Sequence, residues 1–218
     1  MSDLRRVGTN LQAVALATLV VGIAACGDDG DATPTVRKAA STTAPAPAPD
    51  LEQFLMRDGE EPGFRQGAAP GAMPSARDTI EGVEAFVAEL GLPPADAQRL
   101  RDEGFISFMV QPIRGPKSAG LSNVALYETE EGATQSLAHE LQPAVIRAGG
   151  PIKGLRFFRV QGIPGARGWT ASEPHVGNVM WVQGRCLLVL GNQGPGQLAG
   201  PLSTGARAIY KRTKGQCP

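Results

Sequence analysis

The sequence predicts an α+β fold in which helices pack on a mainly antiparallel sheet of about five to six strands. Strand patterns occur in groups and helical patterns lie between those groups, which is typical of α+β rather than α/β folds. The strands at 178–182 and 186–190 are joined by a short connection containing Gly184, which indicates a hairpin. About 140 residues follow Asp78, and that length is enough for one hydrophobic core.

The predicted domain spans residues 51–218. Leu51, Phe54 and Leu55 share one helical face. Residues 65–77 are rich in glycine, alanine and proline, which interrupts the apolar pattern. Residues 51–77 are therefore either the first element of the domain or a loosely attached clip.

Two helices are expected next. Asp78-x-x-Glu81 resembles a capping box, in which each side chain caps a free backbone N–H at the helix start. Apolar residues follow at helical spacing as far as Gly91: Ile80, Val83, Val87 and Leu90. A second short helix is predicted over 94–103 and ends at Gly104.

The first strands of the sheet are predicted at 105–113 and 123–127. Apolar residues occupy both faces of the first strand: Ile106, Phe108 and Val110 on one, Phe105 and Met109 on the other. Such a strand is buried on both sides. Pro112 either ends it or marks a sheet edge.

The second half of the domain repeats this alternation of strands and helices. A helix begins at Glu130, and Pro143 kinks it or splits it near Leu141. Besides the hairpin, strands are expected at 155–160 and 168–171. The chain closes with a helix over 198–209, where Pro201 suits the first turn.

The N-terminus predicts export. Arg5 and Arg6 precede an apolar run over 11–25, which is shorter than the roughly 20 residues of a membrane span. Ile23-Ala24-Ala25-Cys26 resembles the lipobox of bacterial lipoproteins. This resemblance implies cleavage before Cys26, diacylglycerol on its sulfur and attachment to the outer face of a cell membrane or to a periplasm-facing envelope. An ordinary secretory signal is the alternative.

A tether and a near-neutral domain are expected after residues 1–25, the predicted lipoprotein signal peptide. Residues 26–50 are rich in Ala, Pro and Thr and are predicted to be a disordered spacer. The mature chain carries 19 basic and 20 acidic residues. Its charge therefore gives no case for nucleic acid, or for anionic lipid bound by charge.

The cysteines predict one disulfide. Lipidation uses Cys26, which leaves Cys186 at the start of the last strand and Cys217 after the last helix. Two cysteines outside the cytoplasm tend to pair, and such a bridge contributes roughly 3–4 kcal/mol in the chain-entropy model. A buried free Cys186 with a frayed tail is the alternative, and a catalytic thiol is less favoured.

No catalytic, metal or cofactor site is predicted. His139 is placed on the solvent face of its helix, and His175 lies in a loop beside Glu173, too few groups for a metal or acid–base site. The glycines at 191, 194, 196 and 200 depart from the G-x-G-x-x-G spacing, so a structural turn is expected there.

The domain is also similar to small envelope lipoprotein domains of high-GC bacteria through EEPGF, VALYETEEGA, GIPGARGW and NVMWVQGRCLLVLGN. That resemblance implies a non-enzymatic module. The first hypothesis is thus a membrane-tethered binding module whose partner is an envelope protein or the cell wall. The second is a carrier for an apolar ligand or lipid, with a cavity of roughly several hundred Å³ lined by six aromatic residues: Phe105, Phe108, Phe157, Phe158, Trp169 and Trp181. The third is an envelope hydrolase in which Glu173 and His175 converge with another carboxylate.

Overall fold

Eight antiparallel strands form one sheet in the computed structural model, which describes residues 49–67 and 79–217. The strands are β1 (Arg65–Gln66), β2 (Ile80–Glu81), β3 (Phe105–Arg114), β4 (Ala119–Tyr127), β5 (Arg156–Arg159), β6 (Arg167–Ser172), β7 (His175–Gln183) and β8 (Cys186–Gln193). Their order is β1-β3-β4-β8-β7-β6-β5, with β2 also paired to β3. The predicted α+β class with a mainly antiparallel sheet is confirmed.

The described helices comprise a 3₁₀ helix, Leu51–Phe54, and five α-helices. The α-helices are α1 (Val83–Leu90), α2 (Pro94–Asp102), α3 (Glu130–Glu140), α4 (Pro143–Ala148) and α5 (Ala199–Thr213). The Thr129 hydroxyl caps α3 by accepting a hydrogen bond from the Gly132 N–H at 3.1 Å. Pro143 begins α4, so the helical pattern splits there, because proline lacks the N–H that would continue α3.

Both faces of the sheet are covered. The 3₁₀ helix and α5 pack on one face, where Trp181, Leu190 and Leu202 are fully buried. Helices α1, α2 and α3 pack on the other face, over Phe105 and Tyr127. The central strands β4, β8 and β7 thus lie between two apolar layers, which explains why their apolar runs are nearly continuous.

The predicted disulfide is present. Cys186 and Cys217 are bonded with a Cα–Cα distance of 6.1 Å. The bond joins the first residue of β8 to the segment that follows α5, and both cysteines are buried. The last helix is therefore covalently attached to the centre of the sheet.

The segment 49–67 belongs to the fold. Leu51, Phe54 and Leu55 lie in the main core. The Arg212 guanidinium of α5 donates to both carboxylate oxygens of Glu60, at 2.6 and 3.0 Å, and also to the backbone carbonyl of Leu55 at 2.8 Å. Residues 51–67 are therefore tied to α5 by charge-assisted hydrogen bonds as well as by apolar packing.

Two local predictions are wrong. Ile80 pairs in β2, and α1 begins only at Val83 with Gly82 at its N-cap, so the expected capping box does not form; Asp78 lies outside the described residues. The register of β3 on β4 shifts between Phe105 and Ser107, which is a bulge. Phe105 therefore shares the helix-covered face with Phe108, whereas Ile106 packs on the opposite side with Met109.

Of the two alternatives predicted for Pro112, the first does not apply, because Pro112 lies inside β3 and does not end it. Its neighbour on one side is Leu121 of β4, and on the other side the short β1 pairs only with Ile113 and Arg114. A proline, which has no backbone N–H, is tolerated at position 112 because β1 does not pair with this residue and so needs no N–H donor from it.

Cys26, the predicted signal peptide and most of the predicted tether lie outside the described residues. Among the residues that the structure does describe, no helix has the length and apolar character needed to cross a bilayer.

Candidate functional site

A small pocket lies between the sheet and the helices α1, α2 and α3. It has a volume of about 70 Å³. Much of its apolar wall comes from Phe86, Leu100, Phe105, Phe108, Leu187 and Val189. The ring of Phe86 is the centre of this wall, with its centroid 4.7 Å from that of Phe105 and 4.9 Å from that of Phe108. The aromatic rings give the pocket a rigid apolar floor.

The pocket also has a polar side. Asn123, Tyr127, Ser136 and Glu140 contribute to its lining. The Tyr127 hydroxyl donates to the Ser136 hydroxyl oxygen at 2.8 Å, and burial raises the pKa of Tyr127, so the phenol stays neutral. The pocket therefore combines an apolar wall with a few oriented polar groups at one side.

A buried ionic cluster supports this polar side from behind. Arg99 of α2 donates to both oxygens of Glu103, at 2.9 and 2.7 Å. Glu140 approaches the same guanidinium at 4.0 Å, and Asp96 at 3.7 Å. Burial raises the pKa of Glu103, and the Arg99 charge offsets part of that effect. The three carboxylates outnumber the single arginine, so the cluster carries net negative charge whenever they are ionised.

Tight packing holds α3 against this cluster. A Cβ atom at Gly132 would overlap the backbone carbonyl oxygen of Glu103, so only glycine allows this approach. The approach brings Ser136 and Glu140, one and two turns further along α3, to the pocket. The buried residues of α3 are thus small or polar, namely Gly132, Ala133, Ser136 and Glu140.

The expected solvent position of His139 is wrong. The His139 side chain is half-buried, and its Nε2 atom is buried with no hydrogen-bond partner. Burial and then the nearby Arg99 charge lower the pKa of His139 to about 4, so the imidazole is neutral at pH 7. The helix rotates away from the orientation predicted from Leu137 and Leu141, because the close approach at Gly132 turns the Ser136 side inward.

The six aromatic residues of the carrier hypothesis do not meet in one cavity. Phe105 and Phe108 line the pocket. Trp181 is buried on the opposite face of the sheet, and Trp169 lies in a separate cluster with Ile146 of α4. The two residues left, Phe157 and Phe158, lie on the edge strand β5: Phe157 is 49% exposed, and Phe158 packs over Gly168.

Glu173 and His175 lie at the turn between β6 and β7, on the surface. Glu173 accepts from the Lys153 ammonium group at 2.7 Å, and both side chains are exposed. His175 begins β7 and is exposed as well. Within the described residues, no group of three His, Cys, Asp or Glu side chains is arranged to hold a metal ion.

Comparison with known proteins finds similar chains among the solved structures. No protein-family model matches the chain, and no curated protein matches it. The extracellular domain of PknH from Mycobacterium tuberculosis is similar with a TM-score of 0.44 and 12% sequence identity; the alignment covers 75% of this chain and 94% of that chain. The function of this chain is therefore inferred from its own residues.

Proposed function

We propose that the chain is an exported lipoprotein, anchored through Cys26, whose folded domain is a non-catalytic binding module. The pocket under α1, α2 and α3 receives one small apolar group of the partner, while Tyr127, Ser136 and Glu140 contact polar atoms next to that group. The observation that carries the proposal is the combination of an aromatic floor and a fixed polar side in one pocket.

The size of the pocket determines the class of occupant. An apolar cavity of about 150 Å³ holds one benzene molecule, and this pocket has about half that volume. It therefore takes a branched side chain or a comparable alkyl group. In many interfaces, a few side chains inserted into well-packed pockets provide most of the affinity.

The same comparison argues against the carrier hypothesis. A lipid carrier needs roughly several hundred Å³ of connected apolar space. Only two of the six aromatic residues line the pocket, and Trp181, which was expected to help line it, is 0% exposed on the other face. The hydrolase hypothesis has no support either, because Glu173 is paired with Lys153 at an exposed turn.

Dissolved xenon tests whether the pocket accepts an apolar guest, because xenon enters dry apolar cavities. We expect it to shift the methyl resonances of Leu100, Leu187 and Val189, which line the pocket. The methyl groups of Leu202 and Ile209 lie on the opposite face and are the internal control. Equal shifts on both faces, or none at the pocket, would refute the assignment of the site.

Ala125→Leu is the matched variant, because Ala125 lines the pocket and a leucine there fills it. We expect the variant to remain folded and to lose the xenon shifts at Leu187 and Val189. Unchanged shifts in a pocket filled in this way would show that xenon binds elsewhere.

The anchor is tested separately by fractionation. Cys26→Ala removes the only sulfur in the lipobox-like sequence, so we expect the full chain to leave the membrane fraction or to remain unprocessed with its signal peptide. Processed wild-type chain found only in the soluble fraction would contradict the anchor and would leave the pocket result untouched.

A further inference from the structure

Charge is distributed very unevenly along the chain. Residues 50–140 contain 16 acidic and 7 basic residues, whereas residues 141–218 contain 10 basic residues and a single acidic one, Glu173. The near-zero net charge of the whole chain therefore conceals a basic half. That half forms β5 to β8 and α5, at one end of the sheet.

The basic residues reach the surface at the sheet edge. β5 is the outermost strand at this end, and Arg156 and Arg159 on it are exposed. Arg159 lies directly opposite Arg167 of β6 in the strand register. None of these three arginines has an ion-pair partner among the described residues. We name Arg156, Phe157, Arg159 and Arg167 the basic edge.

The need to keep an edge strand from pairing with other chains explains only part of the composition of the basic edge. Charged side chains on an edge strand prevent pairing with other chains, which accounts for Arg156 and Arg159. Phe157 works against such protection, because it is 49% exposed and is the one large hydrophobic side chain exposed in the described part of the chain. Two like charges placed directly opposite each other also destabilise the strand pair, so an anionic partner would relieve the repulsion between Arg159 and Arg167.

We propose that the basic edge docks on the anionic surface of a lipid bilayer, where the arginines contact lipid phosphate groups and Phe157 enters the interface. Aromatic and basic side chains together are typical of proteins that lie on such a surface. This inference rests on the proposed lipid anchor, which keeps the domain near the membrane. The predicted tether allows contact, since a flexible chain of about 22 residues has a root-mean-square span of about 26 Å.

The test uses the chain from residue 27 onward, which keeps every described residue and has no anchor. Its binding is measured by co-sedimentation with vesicles of phosphatidylcholine, with and without phosphatidylglycerol. We expect binding to the anionic vesicles at about 50 mM salt and loss of it at about 500 mM, where charge interactions are screened beyond about 4 Å. Equal binding to both kinds of vesicle, or none, would overturn the proposal.

A matched pair of double variants locates the surface. Arg159→Gln with Arg167→Gln is expected to weaken vesicle binding about 25-fold, since one basic residue near an anionic surface contributes about 1 kcal/mol, or about fivefold. Arg65 and Arg114 are also exposed and in register, but they lie at the opposite end of the sheet in the acidic half. Arg65→Gln with Arg114→Gln is therefore expected to leave binding unchanged, and an equal loss would overturn the assignment.

A third variant and a second anionic probe complete the test. Arg156→Gln changes one exposed side chain, so it keeps the proposal testable if the double variant unfolds, and we expect about a fivefold loss. Binding to polyglutamate without binding to vesicles would assign the basic edge to an acidic protein and overturn the membrane proposal. The protein used in the vesicle assay lacks Cys26. A negative result would therefore not contradict the proposed lipid anchor.

Discussion

Glu61 is a buried carboxyl group that makes folding depend on pH. Its side chain is 0% exposed and accepts a hydrogen bond from the Asn192 amide. The Glu61 side chain also packs against Gly205 of α5: a Cβ atom added at Gly205 would lie 3.1 Å from the Cβ of Glu61. Burial raises the pKa of Glu61 from 4.5 to about 7, and the Asn192 hydrogen bond offsets part of that effect. The carboxyl group is therefore protonated in the folded chain at mildly acidic pH.

The sign and size of the pH effect follow from these values. Because the folded pKa is higher than the unfolded one, the folded chain holds the proton between pH 4.5 and about 7. The contribution of Glu61 to the free energy of unfolding is largest below pH 4.5 and falls as pH rises through about 7. Each pH unit over this interval is worth about 1.36 kcal/mol, so the full change is about 3 kcal/mol.

Glu61→Gln should remove this dependence, because glutamine keeps the acceptor for Asn192 and cannot ionise. Urea unfolding at pH 4 and pH 8 gives the free energies of unfolding. We expect Glu61→Gln to be about 3 kcal/mol more stable than the wild-type chain at pH 8 and nearly equal to it at pH 4. Glu89→Gln removes an exposed carboxylate and is the control. A constant difference in unfolding free energy between wild type and Glu61→Gln at the two pH values would show that ionisation of Glu61 does not cause the pH dependence.

Three further predictions concern stability. Because the folded pKa of His139 is depressed, the wild type should lose stability as pH falls from 6.5 to about 4. His139→Gln should not show this loss. Urea unfolding at pH 5 should therefore find the variant more stable than the wild type by about 1–2 kcal/mol, a figure reduced for solvent screening. Replacing Cys186 and Cys217 by alanine opens a loop of 31 residues and should lower the unfolding free energy by about 4 kcal/mol, with no added effect of reductant. Gly132→Ala should cost about 1–3 kcal/mol in thermal unfolding, because its Cβ would overlap the carbonyl of Glu103.

The glycine and cysteine predictions each have a control. Gly200→Ala adds a Cβ to α5 where no atom lies within 4 Å, so it should stabilise the chain by about 0.5–1 kcal/mol. A Gly132→Ala chain as stable as Gly200→Ala would contradict the tight approach of α3. A reductant that destabilised the double cysteine variant as much as the wild type would exclude the disulfide as the cause.

Local patterns predicted most of the fold. Apolar spacing identified the helices, and the turn containing Gly184, with φ of 55°, identified the β7–β8 hairpin. The disulfide followed from the positions of Cys186 and Cys217. The strands β1 and β2 escaped prediction because they are two residues each and exist only through pairing with β3. The bulge at Ile106 has no sequence signal and reversed the expected faces of Phe105 and Ile106.

The candidate site could not be predicted for a different reason. Its polar side joins β4 through Tyr127 with α3 through Glu140, and the supporting Arg99 comes from α2. The apolar spacing used to orient α3 assumes that charged residues face solvent. A buried ionic cluster breaks that assumption, so the spacing predicts the wrong orientation for this helix. The one usable clue was the spacing of small residues on α3, from Gly132 to Ser136, which marks a face in close contact.

Mass spectrometry of the N-terminal peptide of the mature chain determines whether the domain is anchored by a lipid on Cys26. The full chain is produced in a bacterium and extracted from the membrane fraction. We expect the first residue to be Cys26 and to carry a diacylglyceryl group. A mature chain that begins at another residue, or an unmodified Cys26, would contradict the proposed lipid anchor.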